Sequence, residues 1–332
     1  MNTYDFIGLD VSKDKFDVAL DDRHRAVFSR DKKGFYQFFR WIQAHAKRPW
    51  VCMEATGCYS EAIADYLLSK DIQVSIANPM QIKSFCRAKL LRNKTDSLDA
   101  RAIAQYASVM PLRPYQKRSQ EQKELNDLNK LLDTLKTQLI QLTNQLESTQ
   151  GEKAKKRLRQ FIRELKKRIR AIETELDDFV NTNEQVSEHV ALITSIPGVG
   201  KVTAYQLLGM ITDINSFTNA KEFAAFIGLS PKQTQSGKLN GLTRISKVGN
   251  PRLRKAFYMA SLSAKRHNPN LKDFVARLQA KGKAPKAILC AIMRKLAHFV
   301  FGVLKNKQAF ITGYKMDCGG SASIPTMAQK IT

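Results

Sequence analysis

Two runs of evenly spaced apolar residues in the middle of the chain leave little choice of local structure. Leu125, Leu128, Leu132, Leu135, Leu139, Leu142 and Leu146 recur at alternating steps of three and four, and Leu158, Ile162, Leu165, Ile169, Ile172, Leu176 and Phe179 repeat the pattern. A period near 3.5 gathers each series on one side of a helix, whereas a strand requires a period of two. Between the series lies STQGEKAKKR, polar and containing Gly151. The pattern predicts two long helices joined by a turn, an antiparallel coiled-coil hairpin over residues 114–186. Sustained heptads in polar surroundings usually associate, so the apolar seam is expected to meet a partner, the alternative being the rest of its own chain.

The flanking segments follow other periods. Up to residue 113, YDFIGLDVS and KFDVALD read as consecutive strands, RAVFSRD as a third, and GFYQFFRWIQAHA as an amphipathic helix. WVCMEA and IQVSIAN then flank the helix YSEAIADYLLSK, a βαβ pattern that calls for a parallel pair. The first 113 residues therefore form an α/β domain with mixed sheet order. Residues 187–311 read as a mostly helical domain. It opens on ALITSIPGVGKVTAYQLLGMI, a helix-hairpin-helix-like element whose Pro-Gly-Val-Gly turn can offer backbone N–H groups to a phosphate. An apolar helix at FAAFIGLSP leads into a flexible loop rich in Gly, Ser, Thr and Asn. A new helix enters at Asn250-Pro251, a cap followed by a first-turn proline. APKAILCAIMRKLAHFVFGVL closes the core, and residues 312–332, without periodicity, are expected to be a flexible tail. The fold class is α/β plus all-α.

Lys and Arg number 55 against 30 Asp and Glu, for a net charge of +25. This excess favours a polyanionic partner, with nucleic acid ahead of a membrane surface. No uninterrupted apolar run reaches bilayer length, and MNTYDFIGLDVSKDK lacks a basic segment followed by an apolar one, so a cytoplasmic protein is expected. The five cysteines contain no C-x-x-C pair and form no metal spacing with the five histidines, which predicts reduced, mostly structural thiols and no zinc site. Lys232, Lys238, Arg244, Lys247, Arg252, Arg254 and Lys255 cluster along the glycine-rich loop and the helix after it, a cationic face suited to a nucleic-acid backbone.

Against this excess, KLLRNKTDSLDARAIAQYA (residues 89–107) sets Asp96 and Asp99 directly behind Lys89, Arg92 and Lys94. With Thr95 as N-cap, Leu98, Ala102, Tyr106 and Val109 fall on one helical stripe, and spacing i, i+3 puts both aspartates on one face of the first turn. Acids there also complement the helix macrodipole, so the pair alone does not decide. Asp10 lies near the end of the first strand and Glu54 ends WVCMEA. If those strands are neighbours, both acids emerge at one sheet edge. Four carboxylates brought together repel unless cations join them, and oxygen-only ligands favour Mg2+ or Mn2+. Two such ions can activate an attacking oxygen and stabilise a leaving one at a phosphodiester, toward which Lys89, Arg92 and Lys94 would steer the phosphate.

IGLDVSK, CMEATGCY and LRNKTDSLDARAIA resemble the Asp-Glu-Asp-Asp pattern of RuvC-like Holliday junction resolvase domains, and in these wordings are similar to the transposases of insertion-sequence family one-ten. The likeness continues through SIPGVGKVTA, FAAFIGLSP, QSGKLNG and RISKVGNPRLRKAFY, and so covers nearly the whole chain up to the tail. It implies an RNase H-like (RuvC-like) N-terminal domain, a coiled-coil dimerisation element and a C-terminal domain supplying a nucleophilic serine. It further implies a recombinase that excises and inserts its own mobile element, guided by a bridge RNA that pairs with target and donor DNA. The homo-oligomer implied is a dimer or a dimer of dimers. Carried over by position, the metal ligands are Asp10, Glu54, Asp96 and Asp99. The nucleophile is Ser236, with Ser246 its nearest rival. Because Ser236 and the carboxylates fall on different domains, one subunit is expected to complete another's site. Two other readings stand beside this one. A plain metal-dependent junction nuclease would need the carboxylates but not Ser236, and a non-catalytic scaffold would tolerate Asp96→Ala and Asp99→Ala.

Overall fold

Alternation in the first segment resolves into a five-stranded sheet. The computed structural model describes residues 4–89, 96–232, 235–236, 239–240, 244–246 and 248–312, and the chain divides into the units Met1–Arg118 and Ser119–Thr332. In the first unit, β1 (Asp5–Val11), β2 (Lys15–Ala19) and β3 (Arg25–Ser29) form an antiparallel meander. Helix α1 (Lys32–His45) follows, capped by Asp31, whose side chain accepts from the Gly34 N–H. Strand β4 (Pro49–Glu54), α2 (Cys58–Leu68) and β5 (Gln73–Ala77) make the expected βαβ unit, and the sheet order is β3-β2-β1-β4-β5. Strands β1, β4 and β5 run parallel.

Period-two alternation sorts the side chains onto two faces. Ile7, Leu9, Val11, Val51 and Met53 join Phe38 and Ile42 of α1 and Ile63 and Leu67 of α2 in one core. On the other face Cys52 and Ala77 pack with α3 (Pro79–Ala88) and α4 (Asp96–Val109) through Ile82, Ile103, Tyr106 and Ala107. Burial pushes the Cys52 thiol up to about 12, so it remains protonated at neutral pH and behaves as a packing residue. Helix α4 rests on the backbone of β1 at Gly8. A Cβ built there would lie 2.0 Å from Ala100 O and 2.4 Å from Ala104 N, so only glycine permits this approach.

The heptads form a helical hairpin, α5 (Gln120–Ser148) and α6 (Glu152–Thr182). Ser119 and Gln122 close a reciprocal capping box at its entry. Toward the base of the hairpin, Leu125, Leu132, Leu165, Ile169, Leu176 and Val180 are buried in one core with the helices that follow. The base of the seam is thus covered by the later helices of the same unit. Polar contacts tie it there: Asn129 Nδ2 donates to Tyr205 O at 3.2 Å, and Tyr205 Oη donates to Asp177 Oδ1 at 2.5 Å. Farther out, Ile140 and Phe161 are exposed.

Helices α7 (Glu184–Thr194) and α8 (Lys201–Leu208) flank the Pro-Gly-Val-Gly turn. Gly198 there has φ +96°, and an added Cβ would stand 2.3 Å from Ala264 Cα. Its glycine serves close helix packing, a need independent of the phosphate-holding reading. After α9 (Ala220–Ile227), the loop read as flexible contains short paired strands. Strand β6 (Pro231–Lys232) pairs with β9 (Arg244–Ile245), and β7 (Gln235–Ser236) with β8 (Leu239–Asn240). Helix α10 (Pro251–His267) starts at the expected Asn250 cap, and α11 (Lys272–Ala280) and α12 (Pro285–Asn306) complete the unit. Among the described residues α12 is the one helix long and apolar enough to cross a membrane. Ile292, Leu296, Ala297 and Val300 along it are buried in the core, which explains its composition.

Candidate active site

Sheet geometry brings the first two carboxylates together. The parallel register of β1 and β4 pairs Leu9 with Met53, so Asp10 and Glu54 follow side by side at the C-terminal ends of adjacent strands. Asp10 lies two residues beyond Gly8, and Glu54 two beyond Cys52, both of which face α4. Alternation therefore turns both acids toward the face that α4 covers. Helix α4 begins at Asp96 and carries Asp99, half-buried, next to the Ala100 carbonyl that sits over Gly8. Half-buried Cys86 on α3 registers the approach: burial, then the charge of Asp99, and then that of Glu54 push its thiol up. Asp99 of the helix and Glu54 of the strand thus both lie within electrostatic reach of Cys86 on α3. Lys89, at the end of α3, donates from Nζ to Gln105 Oε1 at 3.3 Å and stands over the Phe85 ring. The Asp96 side chain, Thr95, Arg92 and Lys94 lie outside the described residues.

One acid at this edge escapes the sequence reading. Asp17 on β2 pairs with Asp10 in antiparallel register, so the two side chains share the α4 face, and Asp17 is only 7% exposed. Lys15 Nζ meets it at 3.3 Å. The signal was present in KFDVA: Phe16 and Val18 take one face, which leaves an acid on the other face of a central strand.

Carboxylate oxygen is the donor chemistry of Mg2+ and Mn2+, and Asp10, Glu54 and Asp99 offer only that. Two residues past Glu54, Thr56 Oγ1 is buried without a hydrogen-bond partner, an unsatisfied oxygen at the same strand end. Among the described residues no group of three or more His, Cys, Asp or Glu side chains stands close enough to hold a metal ion. The donor chemistry fits the cation, while the described side chains do not close around one.

In the second unit Ser236 ends β7, paired with Leu239 across a connection whose sequence is Gly237-Lys238. Ser246 lies at the base of this double hairpin, where its N–H donates to Ser230 O at 2.9 Å. Of the cationic face, Arg252 Nε stands 3.8 Å from Asp133 Oδ2 of α5, Arg254 packs against Gly228, and Lys255 is exposed. Lys238, Lys247 and the side chains of Lys232 and Arg244 lie outside the described residues.

Comparison with known proteins covers both units. A DEDD transposase model of the IS110 type matches residues 7–150, which include all four acids. The model "Transposase IS116/IS110/IS902 family" matches residues 190–276, which include Ser236 and Ser246. The pilin gene-inverting protein of Moraxella bovis is 31% identical over 92% of this chain and 97% of its own length. That of Moraxella lacunata is 31% identical over the same shares. The transposase for insertion sequence element IS1111A of Coxiella burnetii is 27% identical over 94% of this chain and 93% of its own. The chain belongs to the IS116/IS110/IS902 family of transposases and is an enzyme of DNA transposition and recombination.

Proposed function

We propose that this transposase moves its own element by cutting and rejoining DNA through a covalent phosphoserine, on an RNase H-like (RuvC-like) carboxylate unit and a serine-bearing helical unit. The observation that supports it best is the convergence of Asp10 and Glu54 on neighbouring parallel strands, beneath the helix that carries Asp96 and Asp99. Asp10, Glu54, Asp96 and Asp99 would hold a divalent cation, which when bound would supply charge stabilisation to the phosphoryl and leaving oxygens. The Ser236 hydroxyl gives up its proton and its oxygen attacks the scissile phosphorus. A phosphoserine ester forms as the bond to the sugar oxygen breaks, and that oxygen leaves with a proton. A second sugar hydroxyl reverses the step, so no phosphodiester energy is lost to water. Ser236 lies on a short strand paired with Leu239, within the segment matched by the transposase family model, and this supports the choice of that serine. Lys89, Lys238, Arg244, Lys247, Arg252 and Arg254 serve backbone contact. The net charge of +25 suits a complex with both a guide RNA and two DNA duplexes, in which pairing reads sequence and protein reads backbone. The exposed Ile140 and Phe161 of the distal hairpin suit a coiled-coil homodimer.

A trapping assay tests the reading. Purified protein with co-purified RNA, Mg2+ and DNA spanning the element's end is run on a denaturing gel beside Ser236→Ala. The expected result is a DNA-linked protein band that the substitution abolishes. Cleavage without adduct, unchanged in Ser236→Ala, establishes a plain metal-dependent nuclease instead.

A further inference from the structure

The hairpin carries a charge pattern that neither its own packing nor dimerisation requires. Residues 147–172 hold ten Lys and Arg against three Asp and Glu, whereas residues 173–188 hold six acids and no Lys or Arg. The distal half of α6 is thus cationic and its proximal half anionic. Five of the cations follow one face: Lys156, Arg159, Arg163, Lys167 and Arg170 recur at i, i+3, i+7, i+11 and i+14. At 100° per residue they fall within an arc of about 80°, and at 1.5 Å per residue they extend along about 21 Å. All five are exposed. Arg159 has a long contact of 3.9 Å to Glu152 Oε2, and among the described residues the other four have no carboxylate partner. Beside the stripe a groove of about 370 Å³ is lined by Leu146, Lys156, Arg159, Ile162 and Arg163. The exposed Phe161 points about 160° away from the stripe's centre, so a dimer contact made there leaves the cations open.

We infer that this stripe is a second nucleic-acid surface, a rail that grips the phosphate backbone of duplex DNA and shares no residue with the carboxylate site. Charge complementarity is the argument. Like charges at i, i+4 destabilise a free helix, so five on one exposed face call for a polyanion to offset them. The stripe has only donors and no aromatic ring, which suits phosphate contact and leaves out both base reading and the stacking platforms of single-strand binders. Its length matches the axial rise of about six base pairs. Duplex DNA is the occupant because the chain is a DNA recombinase, and the inference does not depend on the serine chemistry.

The test uses full-length protein in EDTA, which separates binding from catalysis. Affinity for a 30-base-pair duplex of arbitrary sequence is measured against KCl concentration for wild type, Arg163→Gln/Lys167→Gln on the stripe, and Arg157→Gln/Arg168→Gln on another side of the same helix. Glutamine keeps helix propensity, and circular dichroism checks the fold. Each lost phosphate contact flattens the log-log salt dependence by about 0.9, so the stripe pair is expected to lower the slope by about 2 and the control pair to leave it near wild type. Equal effects of the two pairs, or no effect of the stripe pair, overturn the rail. A change seen with an RNA duplex but not with DNA overturns the choice of DNA.

Discussion

An Asp10→Asn protein is expected to cleave DNA about 1,000-fold more slowly than wild type while unfolding at the same or a higher urea concentration. The kinetic loss follows from the role proposed for Asp10, one carboxylate of a set that would bind and orient charge at the phosphate. Such electrostatic stabilisation contributes several kcal/mol to a transition state, and each 1.36 kcal/mol is a factor of ten. The stability change runs the other way. Asp10 stands opposite Asp17 in the sheet, and Lys15 meets Asp17 at 3.3 Å, so neutralising Asp10 removes a like-charge neighbour while the Lys15–Asp17 ion pair stays in place. Asparagine keeps the volume, and the flanking Leu9 and Val11 stay in the core on the opposite face. Single-turnover cleavage and a urea titration on the same preparation check both halves. An inactive variant that is also markedly unstable would mean that Asp10 serves the fold.

Gly8→Val is expected to destabilise the first unit by about 3 kcal/mol, the upper range for overpacking a core, and to remove activity with it. The obstacle is backbone. Ala100 O and Ala104 N would stand 2.0 Å and 2.4 Å from the new Cβ, and no rotamer change moves them. Helix α4 must lift from β1, and Asp99 and the start of the helix lift with it. Gly151, where an added Cβ would meet nothing within 4 Å, offers the contrast: Gly151→Ala is expected to stay within about 0.5 kcal/mol of wild type. Urea unfolding of the three proteins measures the difference.

Much of this arrangement is legible in the residues. Periods of 3.5 and 2 separate the hairpin from the sheet, and the order strand, strand, strand, helix, strand, helix, strand places the ends of β1 and β4 side by side. What stays hidden depends on distance across the fold. Gly8 reads as an ordinary strand glycine until a helix lies on it. Gly198 sits in a turn that looks made for phosphate, yet its missing Cβ makes room for α10. The base of the heptad seam is covered by α7 and the helices after it, which heptad spacing alone cannot distinguish from a second chain. The strands around Ser236 are two residues long, shorter than any period can register.

The most direct test of the carboxylate centre is Mn2+ binding, followed by electron paramagnetic resonance on the full-length protein. Asp10→Asn, Glu54→Gln and Asp99→Asn are each expected to weaken binding at least tenfold, since even outer-shell changes cost about that much, while Ser236→Ala leaves it unchanged. Undiminished Mn2+ binding in all three carboxylate variants would contradict a shared metal site at the ends of β1 and β4.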